Sequence, residues 1–302
     1  MLSGDPWHCR DGSSKRSKRC SQVMYNGIFV SPSELEAMIA QGDESLAIVD
    51  VTWLLGQDIA EAYYRRAHIP NARFLAFEDV ITGSPGQRGR HPLPKVEDLQ
   101  EALSAIGVRS NDLVVFYDQG DCLPAARAAL TLRHFGHGRV AVLLGGFNSW
   151  IAQGHRVSAE IPFVEPAKFL FDMPGGMDCF VDVDAIETGR GYLIDVRDRS
   201  RFLGISEPID RVAGHIPGAL NIPYAEIFHP LSGIKLHVLE SFLRENNIAL
   251  DVPIVTYCGS GVTASFMALA FEQVGVSNAK VYVGSWSEWI EDPNREISVN
   301  TR

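Results

Sequence analysis

The sequence contains no C-x-x-C pair, and its five cysteines (Cys9, Cys20, Cys122, Cys179 and Cys258) are widely scattered. An odd, dispersed set argues against a disulfide framework and against a thiolate zinc site, and it suits a reducing compartment. No apolar run approaches the roughly 20 residues needed to span a bilayer. Positive charge is also scarce: 27 Lys and Arg stand against 37 Asp and Glu, for a net charge of −10. That balance argues against nucleic acid or an anionic membrane as the main partner. The basic residues that do occur cluster at the start, in "CRDGSSKRSKRC". Residues 1–24 have no apolar period and lack the apolar core of a secretory signal. Their composition reads as a disordered tail, or as sequence upstream of a start at Met24. A targeting role is the sharper alternative, weakened by Asp5, Asp11 and the missing amphipathic period. The expected location is therefore cytoplasmic, or mitochondrial if the basic segment is a targeting sequence.

What the sequence does contain is an internal repeat. In its first copy the strand-like "LAIVDVTW" (Leu46–Trp53) is followed by "RRAHIPNARF" (Arg65–Phe74). A second strand-like run, "LVVFYDQGD" (Leu113–Asp121), then leads through a helical segment to "RVAVLLGGFNSW" (Arg139–Trp150). The second copy runs in the same order: "GYLIDVRD" (Gly191–Asp198), "RVAGHIPGALNIPY" (Arg211–Tyr224), "VPIVTYCGSG", a helical segment, and "AKVYVGSWSEW" (Ala279–Trp289). Two homologous domains of ~130 residues are the economical reading. Their expected bounds are 25–155 and 178–302, joined by a Pro- and Gly-bearing connection at 156–177 and preceded by the tail at 1–24. The strands are continuous apolar runs that alternate with helical patterns. This predicts an α/β fold in which each domain is a parallel sheet flanked by helices on both faces. Ligands in such sheets sit beyond the carboxyl ends of strands.

Cys258 occupies such an end, in "PIVTYCGSGVTASF". Gly259 and Gly261 let backbone N–H groups point inward, and the following helix adds the positive end of its dipole. The result is an anion cradle around the sulfur, able to favour a thiolate nucleophile and to hold a persulfide. The repeat supplies a control, because Tyr117-Asp118 aligns with Tyr257-Cys258. One copy keeps the nucleophile and the other carries a carboxylate there, so one domain is read as catalytic and its partner as inactive. His68 and His215 occur in both copies and read as loop-ordering hydrogen-bonders rather than catalysts. Asp50 and Asp195, at strand ends in both copies, read as loop-fixing. Cys122 reads as incidental, and Cys179 has no partner visible in the sequence.

The loop "CGSGVTAS" resembles that of 3-mercaptopyruvate sulfurtransferases in the two-domain rhodanese superfamily. "HIPGALNIP" (His215–Pro223), its echo "HIPNARF" (His68–Phe74) and "GSWSEW" (Gly284–Trp289) are similar to other segments of that superfamily, and the resemblance covers roughly residues 25 to 292. It implies two tandem rhodanese-like domains. It implies sulfur transfer from 3-mercaptopyruvate through a Cys258 persulfide to a thiol, such as thioredoxin, or to cyanide, with release of pyruvate and without a metal or organic cofactor. It implies donor binding by Arg197 and Arg201, whose guanidinium forks suit a carboxylate. The persulfide would be held by the N–H groups of Gly259, Ser260, Gly261, Val262 and Thr263. A Ser–His–acid set is implied at Ser260, His91 and Glu78, where the acid departs from the family's Asp. Relatives that use thiosulfate carry larger residues, one of them basic, after the cysteine. Gly259-Ser260 therefore favours mercaptopyruvate over the alternative, a thiosulfate:cyanide sulfurtransferase. A cysteine phosphatase would want an arginine at the position of Ala264. A pure interaction module would not require an intact Cys258 with the complete arginine pair, whereas a non-enzymatic persulfide relay would look almost the same in sequence.

Overall fold

The computed structural model describes residues 27–172, 176–189, 191–230 and 232–299. The basic segment 1–24, with Cys9 and Cys20, lies outside the described residues. The first half runs β1 (Phe29–Val30), α1 (Pro32–Gln41), β2 (Leu46–Asp50), α2 (Ala60–Arg66), β3 (Arg73–Phe74), α3 (Val96–Ala105), β4 (Leu113–Tyr117), α4 (Leu123–His134), β5 (Val140–Leu143) and α5 (Gly146–Ala152). The second half begins with β6 (Phe180–Val181), α6 (Val183–Glu187), β7 (Tyr192–Asp195), α7 (Arg199–Phe202), β8 (Leu220–Asn221) and α8 (Tyr224–Ile227). It continues with β9 (Phe228–His229), β10 (Gly233–Ile234), α9 (Leu236–Glu245), β11 (Ile254–Tyr257), α10 (Val262–Gln273), β12 (Ala279–Tyr282) and α11 (Ser285–Trp289).

Two five-stranded sheets result, ordered β1-β5-β4-β2-β3 and β6-β12-β11-β7-β8. Every pairing within them is parallel. The two orders are the same permutation, so the repeat read in the sequence is also a repeat of topology. Successive side chains of a strand point to opposite faces, which is why continuous apolar runs suit a sheet covered on both sides. Ala47, Val49, Val114 and Phe116 enter one core with α3 and α4. Ile48, Val115 and Tyr117 enter another with Leu35 of α1 and Phe147 and Trp150 of α5. In the second half Ile254 and Val281 face the first of these cores, while Val255, Tyr257 and Tyr282 pack with Trp286 and Trp289 of α11. The core containing α4 also contains α10, so the two halves share one apolar interior.

Local signals explain the element ends. Ser31 caps α1 by accepting the Glu34 N–H at 3.3 Å, and the Glu34 carboxylate accepts the Ser31 N–H at 2.8 Å. That reciprocal pair satisfies two donors that helix geometry leaves open. Two features go beyond the purely parallel expectation: an antiparallel β9–β10 hairpin, and a π-helical turn at Phe77–Ile81 that carries Glu78. The connection between the halves is also strapped down. Ser158 exchanges two backbone hydrogen bonds with His68, at 2.8 and 2.9 Å, and Ala167 and Phe169 donate to Ser104 in the last turn of α3. Ser298 repeats the first exchange with His215 in the second half. The histidines serve these turns. Nδ1 of His68 lies 2.7 Å from the Tyr64 carbonyl, and Nδ1 of His215 lies 2.7 Å from that of Phe202.

Candidate active site

β11 ends at Tyr257 and α10 begins at Val262, so Cys258 heads a short turn at the carboxyl end of a central strand. Two neighbours pin the turn from below. The Trp286 N–H donates to the Cys258 carbonyl at 3.0 Å, and the Ser287 N–H donates to that of Gly259 at 2.9 Å. The first half repeats this with Phe147 on Asp118 at 2.7 Å and Asn148 on Gln119 at 3.1 Å. The N-cap of the following helix is left-handed in both halves, with φ of 81° at Gly261 and 61° at Cys122. That conformation turns the cap N–H inward. Gly261 donates to the Cys258 sulfur at 3.2 Å, and Cys122 donates to the Asp118 carboxylate at 3.0 Å. Asp118 also accepts from Gly120 and Ala125. In the first half the same turn is filled by its own Asp118 side chain, which accepts three loop N–H groups where its twin carries a thiol, while burial pushes the Asp118 carboxyl well above its ordinary range.

Cys258 is 3% exposed. Its own N–H donates to the Ser285 hydroxyl at 3.2 Å, and Ser285 holds a left-handed φ of 54° while bonding the Tyr282 carbonyl. The other buried cysteines have different settings. Cys122 points its sulfur to the Leu143 carbonyl and the Gly145 N–H, and burial pushes its thiol up. Burial likewise pushes the Cys179 thiol up to about 11.

Ser260, His91 and Glu78 come together across the two halves. The Ser260 hydroxyl lies 2.7 Å from His91 Nδ1, and Nε2 lies 3.6 Å from Glu78 Oε1. The second distance is too long for a direct hydrogen bond. Trp53 stands edge-on to the imidazole at 5.1 Å. Burial, with the charges of Arg127 and Arg90, pulls His91 down to about 4, so its ring is neutral near pH 7. With the ring proton on Nε2, Nδ1 accepts from the serine hydroxyl.

The two expected arginines separate. Arg197 is sealed, with a side chain only 1% exposed. Its guanidinium bonds Asp195, the Gly214 carbonyl at 2.7 Å and Glu207 at 3.3 Å, and it lies 4.7 Å over the Trp286 ring. Asp195 also takes the Arg197 N–H at 2.9 Å, fixing the turn after β7. Every arm of the Arg197 fork is bonded to a protein partner. Arg201 instead reaches the loop. It bonds Glu207 at 2.9 Å and Asp210 at 3.1 Å, and its Nη2 would lie 3.5 Å from a Cβ placed on Gly259. Arg90, from the first half, stands closer still, with Nη2 at 2.7 Å from the same point, and it pairs with the other oxygen of Asp210. Two guanidinium groups therefore overhang Gly259, bridged by one carboxylate. Burial raises the Glu207 carboxyl, but the Arg201 hydrogen bonds and the N–H groups of Asp210 and Ile209 outweigh it and hold the group below its ordinary range.

Sequence reasoning missed Arg90, Asp210, Ser285 and Arg127. Arg90 directly precedes His91, and that adjacency was the available signal; the others are joined to the loop only by the fold. Val262 and Thr263 form the first turn of α10. Among the described residues no group of three or more His, Cys, Asp or Glu is arranged to hold a metal ion, and no helix is long and apolar enough to cross a membrane.

The rhodanese-like domain model matches residues 31–153 and 183–292. A Mycobacterium tuberculosis protein, SseB, provisionally named a thiosulfate sulfurtransferase, is 34% identical over 282 residues, covering 91% of this chain and 98% of that protein. A Pseudomonas aeruginosa protein provisionally named a 3-mercaptopyruvate sulfurtransferase is also 34% identical, over 91% of this chain and 99% of its own length. The crystal structure of SseA from Escherichia coli, described as a 3-mercaptopyruvate sulfotransferase with the rhodanese fold, superimposes with a TM-score of 0.73 at 30% identity, covering 87% of this chain and all of that one.

Proposed function

The chain belongs to the rhodanese-like family and is a sulfurtransferase, and on that premise we propose that its preferred sulfur donor is 3-mercaptopyruvate, with Cys258 as the nucleophile. The observation that carries this reading is the 2.7 Å contact between Ser260 and His91 beside the thiol. Thiosulfate leaves as sulfite, a stable anion that needs no proton. Mercaptopyruvate leaves as the enolate of pyruvate, which must be protonated. A buried Ser–His pair is of use to the second reaction and idle in the first.

In this mechanism the Cys258 thiolate attacks the donor sulfur, an S–S bond forms and the C–S bond breaks. The bonding pair moves into the enolate. The donor's thiol proton passes to the Ser260–His91 pair and returns to the enolate carbon, so the step is proton-neutral. His91, neutral near pH 7, holds the relayed proton only in passing, because its low pKa favours returning it to the enolate carbon. Glu78, 3.6 Å from Nε2, faces the far side of the ring without a direct hydrogen bond to it. Arg201 and Arg90 receive the donor's carboxylate and carbonyl oxygen, with Asp210 as the anion they release. The Gly261 N–H, with its neighbours from Gly259 to Thr263, holds the persulfide. A thiol such as reduced thioredoxin, or cyanide, then takes the outer sulfur in the second half of a ping-pong cycle.

The thiosulfate alternative keeps one support, because the same two arginines suit a dianion. The test compares pyruvate release from mercaptopyruvate with thiocyanate formation from thiosulfate, in the native protein and in Ser260→Ala. The expected result is faster turnover of mercaptopyruvate, reduced on the order of 10²-fold by the substitution, with thiosulfate turnover nearly unchanged. An equal fall with both donors would remove the proton-transfer role of Ser260, and faster native turnover of thiosulfate would reverse the donor assignment.

A further inference from the structure

Helix α4 of the inactive half reads "LPAARAALTLRH", and its middle carries one charge, Arg127, that is fully buried. A guanidinium in an apolar interior is costly unless an anion compensates it. Among the described residues no carboxylate pairs with Arg127. Its Nη2 donates to the carbonyls of His91 at 2.9 Å and Pro92 at 3.3 Å, and the group lies 4.8 Å over the Phe180 ring. Its Nε and Nη1 have no hydrogen-bond partner at all. Nη1 is aimed at the underside of the sulfur loop, 3.0 Å from the point where a Cβ on Gly261 would stand. Gly261 is the residue whose N–H donates to the Cys258 sulfur.

We propose that Arg127 is a positioning residue for sulfur transfer: a buried counter-charge, supplied by the half without a nucleophile, that holds Cys258 as its thiolate and then as its persulfide anion. This rests on the reading of Cys258 as the nucleophile. Burial pulls Arg127 itself down to about 10, and the group acting against that pull is Cys258. The arrangement also gives the inactive half a second task besides bringing His91 to Ser260. Other charged or titratable groups around the loop are His91 and Arg90 from the stretch ahead of α3, Arg201 behind β7, and Asp210 with Glu207. Arg90 and Arg201 are paired with the carboxylates of Asp210 and Glu207, whereas Arg127 pairs with no carboxylate among the described residues and keeps two unmatched donors, Nε and Nη1, the latter beside Gly261.

The test is the pH profile of iodoacetamide alkylation, followed on the Cys258 peptide by mass spectrometry, in the native protein, Arg127→Gln and Arg127→Lys. Glutamine keeps a donor for the carbonyls and loses the charge; lysine keeps the charge and loses the fork. The expected result is a midpoint raised by about one to two pH units in Arg127→Gln and kept within about 0.3 units in Arg127→Lys. A role confined to tying down the His91 and Pro92 carbonyls predicts lowered thermal midpoints in both variants with unmoved alkylation midpoints, and that result overturns the proposal. If Arg127→Gln does not fold, Arg127→Met, which also removes the charge but fills the apolar interior, takes its place, and an unmoved alkylation midpoint in that folded variant overturns the proposal. Failure of the underlying reading looks different: native Cys258 would alkylate normally yet accept no sulfur from either donor.

Discussion

Two glycines flank Ser260, and the same one-carbon addition at each has opposite expected consequences. Gly261→Ala puts a Cβ on a residue with φ of 81°, which costs an L-residue about 1–2 kcal/mol. Cys122 already bears that conformation at the corresponding cap, so the dihedral alone is tolerable. The decisive term is steric. The new Cβ would lie 2.5 Å from the Val283 carbonyl oxygen, a backbone atom just past β12, and 3.0 Å from Arg127 Nη1. Relieving such overpacking costs roughly 1–3 kcal/mol. The sum, about 2–5 kcal/mol, corresponds to a thermal midpoint lower by roughly 3–8 °C for a chain of this size. Gly259→Ala meets instead the Nη2 of Arg90, at 2.7 Å, at the tip of a flexible side chain that is 29% exposed. Arg90 can swing away at a cost under about 1 kcal/mol in stability, but it then leaves Asp210 and the donor site. The expected outcome is an almost unchanged melting curve with a KM for mercaptopyruvate raised several-fold. Scanning calorimetry and steady-state kinetics on the two variants make the comparison. A Gly261→Ala protein melting within about 1 °C of the native one, or a Gly259→Ala protein as destabilised as its twin, would refute the steric reasoning.

His91 makes the fold acid-sensitive. Its pKa falls from 6.5 to about 4 in the folded chain, so its neutral burial contributes stability above pH 6.5 that is lost as pH drops through that window, by up to about 3 kcal/mol. Urea midpoints at pH 7 and pH 4.5 should therefore converge in His91→Gln relative to the native protein, and an equal acid loss in both would count against it. Arg197→Met should destabilise by about 3–5 kcal/mol, because Asp195 and Glu207 are left buried with one partner fewer. Arg201→Met should instead raise the donor KM with a smaller loss of stability, since its side chain is the more exposed and it overhangs the loop. Finding the kinetic defect in the Arg197 variant and the stability defect in the Arg201 variant would invert the assignment of the two arginines.

The parts of this architecture that lie in local runs were legible in the sequence. Strand Ile254–Tyr257, the glycines after Cys258 and the apolar helix behind them make the cradle from neighbouring residues, and the repeat exposed its filled twin at Asp118. The meeting of His91 with Ser260 was reached only through the family resemblance, because 169 residues separate them. Spacing could not separate Arg197 from Arg201. They are four positions apart, but the first lies in the turn after β7 and folds back onto Asp195, while the second sits on α7 and extends toward Gly259. Arg127 was illegible for a similar reason. In sequence it is one charge in an alanine-rich helix, and only the packing of α4 against α10 brings it beneath the sulfur loop.

The most direct test of the central claim is the intact mass of the reduced protein after separate exposure to 3-mercaptopyruvate and to thiosulfate, with Cys258→Ser as control. One added sulfur on Cys258, formed faster with mercaptopyruvate and matched by one pyruvate released, is the predicted result. Loading of the Cys258→Ser protein, or no loading of native Cys258 by either donor, would contradict the account.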